Sequence, residues 1–235
     1  MRTIRRRRLD VFLLGAGALA GGAVTVIGGV VGDEERVTGM WVGAEVADDG
    51  SAALHEVIDY DFGFAQDKHG IIREIPGLTT DSKVDVRSDS APDAIDRKQM
   101  TFAPGGEQQL ELRIGDADTT ITGRHRYQLR YDFEQGIISD GDVIAWDAVG
   151  TGWDVPIGQS EVHIVAPFEL IPARCSVGSI GSTGGCELVE VEPGHLMVAT
   201  DGLDAGDGVT VRVERGDDLS GDAPELPAPP TSAPP

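Results

Sequence analysis

Along most of this chain apolar and polar residues alternate with a period of two. Tyr127, Leu129, Tyr131 and Phe133 alternate with Arg126, Gln128, Arg130 and Asp132. Leu110, Leu112 and Ile114 alternate with Glu111 and Arg113, and Val84 and Val86 stand among Lys83, Asp85 and Arg87. Val209, Val211 and Val213 alternate with Thr210, Arg212 and Glu214, and Val162 and Ile164 flank His163. Successive side chains of a strand point to opposite faces, so each run sets one face on a core and the other in water. Outside the N-terminal leader no long window keeps a 3.6-residue period. Asp48-Asp49-Gly50, between candidate strands 40–46 and 52–62, predicts a hairpin. Further breaks fall at Ala103-Pro104-Gly105-Gly106, Gly115-Asp116, Ser139-Asp140-Gly141-Asp142 and Glu192-Pro193-Gly194. Short strands divided by such turns predict an all-β fold, an antiparallel β-sandwich of immunoglobulin-like or jelly-roll-like kind.

The two ends break the pattern. Arg2, Arg5, Arg6, Arg7 and Arg8 precede 21 uncharged residues, Val11 to Val31. At a helical rise of about 1.5 Å per residue this run reaches roughly 30 Å, the thickness of a bilayer core. The arginines orient it with the N-terminus in the cytoplasm, so the remainder is exported. Residues 1–32 therefore read as a cleaved signal peptide, with Val30-Val31-Gly32 at the cleavage site, or as a retained anchor helix. Gly15-Ala16-Gly17-Ala18-Leu19-Ala20 mimics a dinucleotide fingerprint. A leader explains it better, because alternating strands follow in place of the required helix. Residues 33–215 form the exported β-domain. Residues 216–235 are proline-rich and lack aromatic side chains, which predicts a disordered, unpacked tail.

Charge narrows the partners. The chain carries 19 Lys and Arg against 40 Asp and Glu, a net charge of −21. Removing residues 1–32 takes away five Arg and one Asp, so the exported part is more acidic still. No basic surface offers itself to nucleic acid. Cys175 and Cys186 are the only cysteines and enclose a Gly- and Ser-rich loop. In an oxidising compartment they are expected to pair, and closing so short a loop contributes about 2–3 kcal/mol. No zinc, serine-hydrolase or phosphate-loop signature is present.

Several stretches stand in an order that identifies a family resemblance. His69-Gly70-Ile71-Ile72-Arg73-Glu74-Ile75-Pro76 follows a hydrophobic strand ending in Asp61-Phe62. Ile114-Gly115-Asp116, Thr119 to Gly123, His125, Tyr127 and Tyr131 come next. Trp146-Asp147, Val149-Gly150-Thr151-Gly152-Trp153-Asp154-Val155-Pro156-Ile157 and the Cys175–Cys186 loop complete the set. Together they resemble the YciQ-like predicted membrane proteins, a domain-of-unknown-function family, over residues 38–215. The resemblance implies an extracytoplasmic β-rich domain fixed to a membrane and implies no reaction. Such proteins usually continue into transmembrane helices, whereas this chain ends in its proline-rich stretch. That leaves a truncated protein, one anchored by its N-terminal helix, or a secreted one.

Candidate site residues follow from these motifs. His69, Arg73 and Glu74 form a possible recognition patch, Arg73 gripping a carboxylate or sugar acid. The structural alternative pairs Arg73 with Asp61 or Asp67. Trp153, with Asp154 beside it, offers a platform for a glycan or peptide, and Trp146 is expected in the core. Asp116 and Asp118 present oxygen ligands at alternate positions, so calcium is the one cofactor considered. The expected function is a cell-envelope binding or interaction module whose partner is an envelope protein or glycan. The membrane is a further partner if the leader is uncleaved. An envelope hydrolase using acidic residues and a calcium-stabilised structural domain are the alternatives.

Overall fold

The computed structural model describes residues 34–64, 67–90, 95–102, 107–133, 138–139 and 142–232. The predicted leader helix and the turn at 103–106 lie outside them. Among the described residues no helix is long and apolar enough to cross a membrane. The described residues form fourteen strands and no helix. They are β1 Arg36–Val46, β2 Ala52–Asp61, β3 Ile71–Pro76, β4 Val84–Ser88, β5 Ile95–Phe102, β6 Glu107–Ile114 and β7 Arg124–Phe133. Then follow β8 Ile138–Ser139, β9 Val143–Val149, β10 Ser160–Val165, β11 Phe168–Gly178, β12 Val189–Glu192, β13 His195–Thr200 and β14 Gly208–Asp218.

Three sheets result. One runs β12-β13-β10-β1-β2-β7-β4, a second β11-β14-β9-β8, and a third β3-β6-β5. Every pairing is antiparallel except β1 with β10. The sequence reading expected antiparallel pairs alone. Antiparallel neighbours arise from short turns, but more than a hundred residues separate β1 from β10. The chain returns to β1 only after completing the three-stranded sheet and laying down β8 and β9 of the four-stranded one, and it meets that strand running the same way.

The period of two is realised as burial. On β7, Tyr127, Leu129 and Tyr131 are buried while Arg124, Arg130 and Asp132 are exposed. β4 and β14 alternate in the same way. Side chains from all three sheets enter one buried cluster, including Ile58, Leu110, Tyr127, Ile144, Ile164 and Phe168. Each fully buried side chain of this size contributes about 1.5–3 kcal/mol through removal of apolar area from water. The hairpin at 47–51 is as expected. Gly50 N donates to Ala47 O at 2.9 Å, and Asp49 Oδ1 accepts from Ser51 N at 2.9 Å. Gly50 adopts φ +84°, a conformation that favours glycine.

The C-terminal stretch differs from expectation. β14 continues to Asp218, and residues beyond it pack on the seven-stranded sheet although they join no ladder. Proline cannot donate to a strand ladder, but its rings and the intervening Leu226 still bury apolar surface.

Candidate functional site

β3 places its side chains in a phase that puts a charge indoors. Ile71, Arg73 and Ile75 point into the core, and Ile72, Glu74 and Pro76 point outward. Glu56 occupies the matching inward position on β2, between Leu54 and Ile58. The two meet between sheets. Arg73 Nε donates to Glu56 Oε2 at 2.8 Å and Nη2 to Glu56 Oε1 at 2.7 Å. Tyr131 of β7 donates its hydroxyl to the same Oε1, and Arg73 Nη1 donates to the Glu74 carbonyl. Arg73 is 6% exposed and Glu56 1%.

Burial opposes the charge on Arg73, but the facing Glu56 carboxylate outweighs it and holds the guanidinium above its ordinary value. Burial, reinforced by Glu56, pushes the Tyr131 hydroxyl far up, so it stays a donor. The family-motif arginine thus grips a carboxylate of its own chain. Its partner is neither Asp61 nor Asp67. Asp61 instead faces Arg124 at 3.3 Å.

Outside this ion pair lies a cleft of about 410 Å³. Ile72, Glu74 and Pro76 of β3 form one wall, Asp147 and Val149 of β9 with Gly150 to Trp153 a second, and Ser176 to Ser182 a third. Three motif stretches, far apart in sequence, converge here. The glycines of Gly150-Thr151-Gly152 let the turn approach β3. A Cβ on Gly152 would lie 3.2 Å from Glu74 Oε2, and one on Gly150 would lie 3.8 Å from Arg73 Nη1. Trp153 closes the base, 6% exposed, its ring centroid 5.9 Å from Arg73 Cζ. Asp147 accepts from Thr210 Oγ1 at 2.6 Å.

The third wall depends on the disulfide. Cys175 on β11 bonds Cys186 across 11 residues. Ile180, at the tip of the closed loop, is 76% exposed and lines the cleft. Replacing both cysteines with alanine is expected to cost about 3 kcal/mol, read by denaturant unfolding. An unchanged midpoint would show that the loop is held by packing alone.

The remaining expected residues are elsewhere. His69 Nδ1 lies 3.0 Å from Thr119 O, tying the start of β3 to the 116–119 turn. Asp154 is exposed and does not line the cleft. Asp116 uses both oxygens on its own turn, accepting from Asp118 N at 2.8 Å and Thr119 Oγ1 at 3.1 Å. Among the described residues no group of three or more His, Cys, Asp or Glu is placed to hold a metal ion. Trp146 joins the core, 8% exposed. Sequence reasoning missed Glu56, though a carboxylate in phase with Leu54, Ile58 and Tyr60 is a legible signal.

A family model described as "Predicted membrane protein (DUF2207) N-terminal domain" matches residues 36–214, and the chain belongs to that family. No curated protein matches it in sequence. Among solved structures it is similar to a chain from Parabacteroides distasonis described as a "putative protease". The identity is 12% and the TM-score 0.46, over 78% of this chain and 41% of that one. It is also similar to the native leukotriene A4 hydrolase of Saccharomyces cerevisiae, at 8% identity and TM-score 0.40, over 76% of this chain and 29% of that one. This chain spans less than half the length of either, and likenesses this faint say nothing about its activity.

Proposed function

We propose that the chain is an exported or membrane-anchored β-sandwich that works at the cell envelope as a binding module. Its ligand is an extended, positively charged segment of another envelope protein. The observation that carries this reading is the cleft between the β3 and β11 edges. β3 ends one sheet; β11 ends another, but its Val177 N already donates to Gly184 O of the disulfide loop, so β3 is the edge left for an added strand. Edge strands keep backbone donors and acceptors that pair with an added strand. Ile72 and Ile180 supply exposed apolar contacts, and Glu74 and Asp147 supply negative charge. Arg73 adds no net positive charge, because Glu56 neutralises it. A peptide suits this cleft better than a glycan, since both Trp146 and Trp153 are buried and neither offers a ring face for stacking.

The test is calorimetric titration of the full chain at about 0.15 M salt, where long-range charge effects are screened. The probes are two short peptides, one alternating Val and Lys, the other Val and Glu. Only the lysine peptide is expected to bind, and Ile180→Ser and Glu74→Gln are each expected to weaken it by about tenfold, or 1.4 kcal/mol. Equal binding of both peptides, or binding indifferent to both substitutions, would overturn the reading.

A further inference from the structure

The seven-stranded sheet has a second face, turned away from the buried cluster, and residues 219–230 lie across it. Leu219 N donates to Pro167 O at 3.0 Å. A Cβ on Gly194 would lie 2.7 Å from Leu219 Cδ1 and 3.2 Å from Pro224 Cδ. Leu226 fills the gap left by Gly43, where a Cβ would lie 2.6 Å from Leu226 Cδ2 and 2.7 Å from the Trp41 ring. Pro230 O accepts from Arg126 Nη1 at 2.7 Å, while Nε and Nη2 of Arg126 hold Asp59 at 2.7 Å each.

The lengths agree with a strap laid across the strands. From β13 through β10, β1 and β2 to β7 there are four steps. At about 4.8 Å each they span roughly 19 Å. Six polyproline steps, from Pro224 to Pro230, also span roughly 19 Å at about 3.1 Å each. Beside the strap a hollow of about 720 Å³, lined by Glu45, Ala53, Asp132, Val165, Pro224 and Leu226, leaves one flank unpacked.

Histidines line the seat. His55 on β2 and His163 on β10 stand opposite Gly43 from its two sides, so Leu226 is set between their rows. Trp41 stacks near both, at ring-centroid distances of 5.3 and 5.8 Å. His163 Nδ1 lies 2.9 Å from His195 Nε2, and each residue is 4% exposed. His163 Nε2 meets Glu161 Oε1 at 2.5 Å. With Glu161 accepting from His163 Nε2–H, the network leaves His163 Nδ1 to accept from His195 Nε2–H. His195 Nδ1 is the pair's open basic nitrogen, 3.9 Å from Glu192 Oε1. His55 Nε2 is buried with no hydrogen-bond partner among the described residues.

We propose that this outer face is a binding site for an extended proline-rich segment anchored by a leucine. Residues 219–230 are its occupant, and protonation of His55 and His195 beneath them releases the strap. The charged groups around the seat on this face are Glu161 on β10, Glu192 at the end of β12, Glu45 on β1, Asp59 on β2, Arg126, Arg130 and Asp132 on β7 and Glu225 of the strap itself, while Glu56 acts on His55 from the opposite face of β2. Burial disfavours the charged form of His195, with His163 acting in the same sense and Glu192 against it. Burial does the same to His55, Arg130 reinforcing and Glu56 opposing. Both therefore bind a proton more weakly under the strap than in water. Undocking relieves the burial, so release takes up protons, and docking is strongest above the ordinary histidine value of 6.5 and weakens as pH falls below it. Each proton taken up changes the docking constant by up to about tenfold per pH unit.

The test follows the Leu226 methyl signals of the full chain by NMR, since the Trp41 ring shifts them while the strap is seated. Between about pH 7.5 and pH 5 they are expected to move to the unstructured position, while the methyls of buried Leu129 hold theirs. H195Q with H55Q cannot gain these charges and is expected to keep the strap seated at the lower pH. H195Q alone, carried alongside in case the double variant misfolds, moves the midpoint of release downward. L226A frees Ala228 at both pH values, read by its amide relaxation. Leu226 methyls that do not move, or that move identically in the wild type and H195Q, would overturn the proposal.

Discussion

Glu56→Gln is expected to lower the unfolding free energy by about 3–5 kcal/mol, because it leaves the Arg73 guanidinium charged and unpaired between two sheets. Arg73 meets water only where it lines the cleft. It is 6% exposed, and its inward phase on β3 is set by Ile71 and Ile75 on either side. In a domain of this size that loss is a drop in melting temperature on the order of 10 °C. Arg73→Lys is expected to fall between the two, since an ammonium keeps the charge but not the two-pronged contact with both Glu56 oxygens. The triple replacement Arg73→Met, Glu56→Leu and Tyr131→Phe removes every member of the network. It is expected to recover most of the loss, because a buried pair often stabilises no more than apolar side chains of like volume. Thermal and denaturant unfolding of the four proteins measures this. If the triple variant were as unstable as Glu56→Gln, the cost would come from lost packing rather than from a stranded charge.

The same residues show how far the sequence could be read. Alternation along β4, β7 and β14 announced an all-β chain, since period two survives whatever the strands pair with. The pairing of Cys175 with Cys186 was equally legible, because a short Gly-rich loop brings the thiols together without help from the rest of the fold. Partner choice across sheets was not. Arg73 lies nearer in sequence to Asp61 and Asp67 than to Glu56, and only the packing of β3 on β2 decides among them. Trp146 lies in the core as the sequence suggests, and Trp153, readable as either platform or core, is buried too. The sequence marks a Gly-flanked aromatic at 153, but whether its ring faces water depends on how closely β3 approaches the Gly150–Gly152 turn. The tail was misjudged because composition describes what a segment does alone. Leu226 finds its seat only after Gly43, His55 and His163 have been brought side by side from three strands.

Gly70→Ala is expected to destabilise the domain by about 3 kcal/mol or more, at the upper end of overpacking costs, because the clash is with backbone and not with a side chain that can turn away. A Cβ on Gly70 would lie 1.9 Å from Ile114 O, and a Cβ on Gly115 would lie 1.8 Å from His69 O. The two glycines face each other where β3 and β6 begin their ladder, next to the Ile71–Ile114 pair. Either substitution must push these backbones apart. The gap opened for one alanine then serves the other, so the double variant is expected to cost clearly less than the sum of the singles, a coupling of about 1 kcal/mol or more. Strict additivity in denaturant unfolding would mean that the two strain the chain independently. The displacement also reaches the cleft. Arg73 and Glu74 lie three and four residues beyond Gly70 on the same strand, so a shifted β3 moves the carboxylate wall as well as weakening the fold. Val/Lys peptide affinity is therefore expected to fall in Gly70→Ala under conditions where the protein remains folded. Retained affinity would show that the cleft is positioned by the Arg73–Glu56 pair and not by the close approach of these two glycines.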